Sequence, residues 1–116
     1  MVSLEYELKK YLDSKLTIDI QPSFGTGKFP IVTYSHAPIS GGPVKQSQFE
    51  IKIIDDDLDR AIDLREKVNL LLDSKNAIST ENIHLLSSLS GGGQLFNDSI
   101  QVWELSSIYI IKWRKK

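Results

Sequence analysis

The chain contains no cysteine, which excludes disulfide bonds, thiolate catalysis and sulfur-ligated zinc sites. Its positive and negative charges are nearly balanced, because it has 14 Lys and Arg residues and 15 Asp and Glu residues, for a formal net charge of -1. Nucleic-acid-binding proteins usually show a basic surplus, and this chain has none overall. No apolar run approaches membrane-spanning length, and the first residues carry glutamate where a secretory signal would carry basic side chains.

Nucleotide-binding motifs are incomplete. Gly25-Thr26-Gly27-Lys28 resembles part of a P-loop, but Pro22 and Phe29 stand where that motif needs its first glycine and its Ser or Thr. The dinucleotide-binding pattern fails as well, because Pro30 occupies the position of its third glycine. We therefore interpret this segment as a loop and expect no cofactor.

The remaining polar groups do not form a recognisable catalytic or metal site. Residues 55–57 and Asp59 could offer oxygen ligands to a hard cation, but carboxylates are also favoured at a helix start, where we place them. His36 and His84 have no Cys or His neighbours at ligand spacing. No Gly-x-Ser-x-Gly elbow occurs. We expect no metal and no enzymatic activity.

Residues 46–72 organise the predicted fold, and the length of 116 residues fits one domain, 1–116. Phe49, Ile51 and Ile53 alternate with polar residues, which is typical of a half-buried strand. The period then changes, and apolar residues between Leu58 and Leu72 gather on one helical face. The aspartates between the two segments can cap the helix.

Similar patterns predict the other elements. Ser3 can cap a helix over residues 4–14. Further strands are predicted over residues 16–21, 31–35, 82–90 and 99–113, while the polar segment 73–81 has no predicted strand. The last strand is long, so we expect a bend or bulge near residues 105–107. Residues 108–111 are apolar on both faces, which favours a central strand covered on both sides.

The sequence therefore predicts an α+β fold. Two helices should pack against a single, mostly antiparallel sheet of about five strands, in the order α-β-β-β-α-β-β.

Two glycine-containing segments are the candidate interaction sites. Residues 36–44 should form a loop or hairpin arm, and Gly91–Gly93 should interrupt a strand and leave Leu95 and Phe96 in a loop. These apolar side chains could order against a partner or could fold back over the core. The interface candidates are Pro38, Ile39, Gly41, Gly42, Val44, Gly91, Gly92, Gly93, Leu95 and Phe96.

The C-terminus is locally basic. Lys112, Arg114, Lys115 and Lys116 surround Trp113 and could contact phosphates while the tryptophan stacks on a base. The alternative is a solvated terminus that follows a core or interface tryptophan.

Several stretches, taken together, resemble the tail terminator, or tail-to-head joining, proteins of long-tailed bacteriophages and prophages, which are sometimes called minor capsid proteins. They span nearly the whole chain in the family's order, although none is a chemical motif. The stretches are Ile20-Gln21-Pro22-Ser23-Phe24, Gly41-Gly42-Pro43-Val44-Lys45-Gln46-Ser47-Gln48, Ile53-Ile54-Asp55-Asp56-Asp57, Ser87-Ser88-Leu89-Ser90-Gly91-Gly92-Gly93 and Asn97-Asp98-Ser99-Ile100-Gln101-Val102-Trp103-Glu104.

The resemblance implies an α+β protein of the virion, assembled in the bacterial cytoplasm. It implies a homo-oligomeric ring, typically a hexamer, at the head-proximal end of the tail, where it ends tube polymerisation. Its partners would be the tail tube protein and the head connector protein, with genome DNA passing through the lumen and no membrane involved. The alternatives are a head-completion protein on the connector side and a small nucleic-acid-binding module.

Overall fold

A computed structural model describes residues 3–18, 20–22, 27–73 and 77–116. These residues form an α+β fold, which confirms the predicted class. The elements are α1 (Leu4–Leu16), β1 (Gln21–Pro22), β2 (Ile31–Ser40), β3 (Lys45–Asp55), α2 (Leu58–Leu72), β4 (Ile78–Ser79), β5 (Ile83–Asn97) and β6 (Val102–Lys115).

The strands form one sheet of six, in the order β1-β2-β3-β6-β5-β4. Strand β1 pairs parallel with β2, and every other neighbouring pair is antiparallel. The predicted five-strand order was therefore wrong in detail, because the short strand β4 lies between α2 and β5. Its two residues pair with His84 and Leu85, and so short a segment carries no periodicity that a sequence could reveal.

Helix α1 begins as predicted and ends later. The Ser3 side chain accepts a hydrogen bond from the Tyr6 N–H, and the helix continues to Leu16 before Thr17 adopts a left-handed conformation. The predicted strand over residues 16–21 is consequently reduced to β1; Asp19 lies outside the described residues. Ile20 is instead held by α1, since Asp13 accepts from its N–H and Lys9 donates to its carbonyl oxygen.

The segment from β3 to α2 has the predicted form. Asp57 caps α2 by accepting from the Arg60 N–H at 3.2 Å. Phe49, Ile51 and Ile53 are fully buried with one face of α2, in a single cluster that also includes α1. Both helices thus pack on one face of the sheet, and burial of this apolar area is the main stabilising contribution.

Strand β6 is central, as predicted, because β3 pairs along one side of it and β5 along the other. The prediction that both of its faces are covered was only partly right. Tyr109 and Ile111 are buried under the helices, whereas Ile108 and Ile110 are only half-buried on the other face. Among the described elements, none packs as a second layer on that face, which we call the open face.

The two predicted loops are in large part strand: residues 36–44 form the end of a hairpin, as the alternative interpretation had it, with only residues 41–44 outside the strands, and residues 90–97 belong to β5. Strand β2 continues through Pro38 and Ile39 to Ser40, and β5 continues through the glycines to Asn97. In both, pairing with an adjacent strand overrides the low strand propensity of Pro and Gly. The expected bulge also occurs elsewhere, since the register along β6 is unbroken against β3 and shifts instead on β5, between Leu89 and Gly91.

Candidate functional site

The first candidate segment forms the end of the β2–β3 hairpin. Ile39 and Val44 are about half exposed there, at 51% and 57%. Gly42 has a φ of 108°, a left-handed conformation that a side chain would strain, so the turn depends on this glycine. Pro38 lies in β2 beyond the short pairing with β1, where no described strand needs its missing N–H. The hairpin end therefore presents apolar side chains on a defined turn.

The second candidate segment belongs to the β5–β6 hairpin. Leu95 is 62% exposed, and Ile100 in the following turn is 64% exposed. Phe96 is less exposed, at 36%, because its ring lies 4.8 Å from that of Trp103 on β6. Each of the two interpretations of this segment therefore applies to one residue. Phe96 folds back in part against its own sheet, whereas Leu95 projects into solvent, where it can contact a partner.

The three consecutive glycines of β5 are not equivalent. A Cβ atom added to Gly92 would lie 2.3 Å from the backbone oxygen of Ser106, so this position requires glycine. A Cβ on Gly91 would meet nothing within 4 Å, and one on Gly93 would lie 3.8 Å from the Ser106 side chain. Neither has a left-handed φ. The fold of the single chain thus explains one glycine and leaves two unexplained.

The two hairpin ends lie at opposite ends of the strands. Lys45, at the β2–β3 turn, pairs with Trp113 near the end of β6. Asn97, at the β5–β6 turn, pairs with Val102 at the start of β6. The molecule measures 44 × 24 × 24 Å, and β6 alone has 14 residues. The structure therefore does not bring the candidate interface residues together but divides them into two separate apolar ends.

The basic C-terminus does not offer its tryptophan for stacking. Trp113 is 7% exposed, its indole N–H donates to the Ser47 hydroxyl at 3.3 Å, and the Lys45 ammonium lies 4.9 Å from the ring centroid. Trp113 is a core residue, which agrees with the alternative interpretation of a solvated terminus that follows a core tryptophan. Lys112 and Arg114 are exposed and line a shallow groove. Trp113 also lines that groove, but its ring is buried, so the groove can attract an anion without offering an exposed ring for a base to stack on.

The aspartate run stabilises the start of α2. Asp55 is fully buried and accepts two hydrogen bonds from the Arg60 guanidinium, at 2.6 and 2.7 Å. It also accepts from the Asp57 N–H at 3.0 Å. Burial alone would raise the pKa of Asp55, but these hydrogen bonds outweigh it and lower the pKa below its usual value. Asp55 thus has a structural role, because its carboxylate oxygens are hydrogen-bonded to Arg60 and Asp57. The described residues contain no group of three or more potential metal ligands.

The histidines form two separate contacts that the sequence did not reveal. His36 Nδ1 lies 2.9 Å from a Glu5 carboxylate oxygen and ties β2 to α1. His84 Nδ1 lies 2.8 Å from the Ser79 hydroxyl across the β4–β5 pair. In the described part of the chain, no carboxylate hydrogen-bonds to His84 to complete a nucleophile, base and orienting acid. Both contacts join residues that only the tertiary fold brings together.

No protein-family model matches this chain, and no curated protein matches it. Neither helix of the described residues combines the length and hydropathy needed to cross a bilayer.

Proposed function

We propose that this chain is a structural assembly protein of a bacteriophage virion, a tail terminator that forms a ring at the head-proximal end of a long tail. The ring, with six subunits, ends polymerisation of the tail tube and joins the tail to the head. Its partners are further copies of the chain, the tail tube protein and the head connector protein, and genome DNA passes through its lumen. The resemblance of the sequence to this family supports the proposal.

The observation that carries the proposal is the position of the two exposed apolar ends. A terminator must contact the tail tube on one side and the head connector on the other. Val44 and Leu95 are more than half exposed and lie at opposite ends of the same long sheet. Groups of exposed apolar side chains, rather than single ones, mark protein contact sites. Ile39 accompanies Val44 at one end, and Ile100 accompanies Leu95 at the other. An elongated chain with a contact surface at each end suits an adaptor between two assemblies.

The open face of the sheet gives a second, weaker support. Ile108 and Ile110 are half-buried there, and Leu86 is exposed beside them. A sheet with one uncovered face that carries apolar side chains can bury them against a neighbouring subunit. This surface is compatible with packing of subunits in a ring.

Deletion of the reading frame from its parent phage or prophage tests the function directly. After induction, lysates are examined by negative-stain electron microscopy. We expect DNA-filled heads beside detached tails of irregular or excessive length. Normal-length free tails beside heads that have lost their DNA would favour the connector-side alternative. Intact infectious particles would refute a role in virion assembly.

A surface variant tests the contact at the β5–β6 end. In the double variant Leu95→Ser and Phe96→Ser, we expect loss of function in a complementation assay. The variant should still fold, because Leu95 is exposed and Phe96 contributes about 1 kcal/mol through its contact with Trp103. Leu70→Ser is the matched control, since Leu70 is 81% exposed on α2, away from both hairpin ends. If the control abolishes complementation equally, or the double variant unfolds, the contact assignment is wrong.

Of the two features that suggested nucleic-acid binding, the basic side chains and a stacking tryptophan, only the exposed basic side chains remain available. Lys112 and Arg114 can contact phosphates, but buried Trp113 cannot stack on a base. Tight, salt-dependent DNA binding by the purified chain, lost in Lys112→Gln with Arg114→Gln, would favour this alternative.

A further inference from the structure

Most of the outer edge of strand β5 has no partner strand among residues 3–18, 20–22, 27–73 and 77–116. On its outer side β4 pairs only with His84 and Leu85, and no other described strand pairs there. Residues 90–97 contain no charged residue and no proline, which are the usual protections of an exposed edge. The opposite side of the sheet is better protected, because β2 carries Pro38 and is partly paired with β1. One edge of this sheet is therefore open to another strand.

The hydrogen-bonding groups of this edge point outward at alternate residues. The Leu89 N–H donates to Asp73 rather than to β6, so Tyr109, opposite Leu89, directs its backbone groups to β3. The β3–β6 register is unbroken, and backbone groups at every second residue point to the same side. The N–H and C=O groups of Leu105 and Trp103 therefore point to β3 as well. Their partners on β5 are Gln94 and Phe96. The N–H and C=O groups of these two residues therefore face away from the sheet and are available to a new strand.

The sequence of the edge is complementary to itself. Three glycines precede Gln94, and three larger residues, Leu95, Phe96 and Asn97, follow it. In an antiparallel pair centred on Gln94, each glycine of one strand lies opposite a larger residue of the other: Gly93 opposite Leu95, and Gly92 opposite Phe96. Bulky side chains then cover the glycines of the partner strand, and no like charges meet.

The same pairing explains glycines that the single chain does not require. Gly91 and Gly93 have space for a side chain and no left-handed φ, yet both are glycine. In the pair centred on Gln94, they lie opposite Asn97 and Leu95 of the second copy, where the absence of a side chain lets the larger residue approach. A groove between α2 and the sheet, lined by Arg65, Asn69 and Gly92 among others, lies beside the position opposite Phe96.

We propose that β5 pairs antiparallel with β5 of a second copy of this chain, about a two-fold axis at Gln94. Gln94 is the residue whose outward backbone groups can exchange two hydrogen bonds with their own counterparts across that axis. Pairing with β2 of another copy is less favourable, because Pro38 lacks an N–H to donate.

The contact is small and does not depend on the proposed function. One strand pair with a few side chains buries less than about 1,200 Å², at the low end of protein interfaces, so we expect a concentration-dependent dimer. A two-fold contact closes after two copies and cannot by itself generate a cyclic ring. Both proposals use Leu95 and Phe96, so the double serine variant does not separate them. Deletion of the reading frame tests the terminator function alone, and self-association of the purified chain with its Gln94→Lys variant tests the dimer alone, so either proposal can fail while the other stands.

Sedimentation equilibrium over a range of protein concentrations tests the pairing. We expect the unchanged chain to dimerise and Gln94→Lys to remain monomeric, since the substitution places two like charges opposite each other. Gln94 is exposed in the single chain, so its fold should be retained, as circular dichroism can check. Gln48→Lys is the matched control, because Gln48 is also an exposed glutamine in a strand but lies on β3, away from the edge. This control should dimerise like the unchanged chain.

Two further variants test the axis itself. Gln94→Glu should also be monomeric alone, but a mixture with Gln94→Lys should form heterodimers, since opposite charges then meet across the axis. Because the chain has no cysteine, Gln94→Cys should form a disulfide-linked dimer on mild oxidation, within the Cα separation that a disulfide allows. Gln48→Cys should not.

Three results would overturn the proposal. The first is an unchanged chain that stays monomeric up to about 1 mM, since binding weaker than this corresponds to less than about 4 kcal/mol. The second is a dimer that persists in Gln94→Lys. The third is a mixture of the lysine and glutamate variants that stays monomeric.

Discussion

The three glycines of β5 should respond differently to the same substitution. In Gly92→Ala, the added Cβ would lie 2.3 Å from the Ser106 carbonyl oxygen and 3.2 Å from two further backbone atoms of β6. Backbone cannot rotate away as a side chain can, so the strands must separate by about 1 Å to reach van der Waals contact. Gly91→Ala adds a methyl group in open space, and Gly93→Ala adds one at an ordinary contact distance.

The magnitudes follow from these distances. Forced overpacking of this kind costs about 1–3 kcal/mol, so Gly92→Ala should lower the melting temperature by roughly 4–12 °C for a chain of this size. Gly91→Ala and Gly93→Ala restrict the unfolded chain without straining the folded one. Each should stabilise the protein by about 0.4–1 kcal/mol.

The assays are urea and thermal denaturation followed by circular dichroism, with all four proteins at the same low concentration. Low concentration is needed because dimerisation adds stability that depends on concentration. Equal destabilisation by all three substitutions would refute the distinction between Gly92 and its neighbours. A neutral Gly92→Ala would show that β5 and β6 do not approach as described.

Three further predictions concern the core and the helix starts. Since the pKa of Asp55 is lowered below its ordinary value of 3.8 in the folded chain, its ionised form stabilises the fold above pH about 4, and this contribution is lost as the pH falls through the lowered pKa. Asp55→Asn should therefore reduce the free energy of unfolding by about 2 kcal/mol at pH 7. As the pH is lowered through the acid range, the melting temperature of this variant should fall less than that of the unchanged chain. Ser3→Ala should reduce the free energy of unfolding by about 1 kcal/mol, with Ser3→Asp close to the unchanged chain; equal loss in both would argue against capping. Phe49→Ala should cost about 3–5 kcal/mol in urea denaturation, because Phe49 is fully buried and stacks 5.6 Å from Tyr34; a loss below about 1 kcal/mol would contradict its place in the core.

The strand-and-helix segment around Asp57 could be predicted because its signals are local. The alternation of Phe49, Ile51 and Ile53 and the helical spacing that follows are each set by neighbours within a few residues. The cap by Asp57 depends on an N–H three residues away. The strand β4 and the extent of β5 could not be predicted in this way. Their residues have weak local preferences and are strands because a partner strand is adjacent.

In the candidate site, too, some features follow from the local sequence and others only from strand pairing. The sequence indicated correctly that Leu95 and the glycines lie close together, because they are neighbours in the chain. It could not show that Leu95 is exposed while Phe96 packs on Trp103, since that depends on which residue of β6 lies opposite. Nor could it show that the β2–β3 turn lies at the far end of the sheet, which follows from the antiparallel pairing of β3 with β6.

The sequence by itself determined the α+β class, the helix of residues 58–72, the helix caps and the main buried face, because these depend on short-range periodicity and on side chains that bond to nearby backbone. Only the tertiary structure decided the strand order, the open face, the need for glycine at position 92 and the unpaired edge of β5. Each of these depends on which distant segment lies alongside, and strand pairing is satisfied by backbone groups that every residue carries, so side-chain identity specifies it weakly.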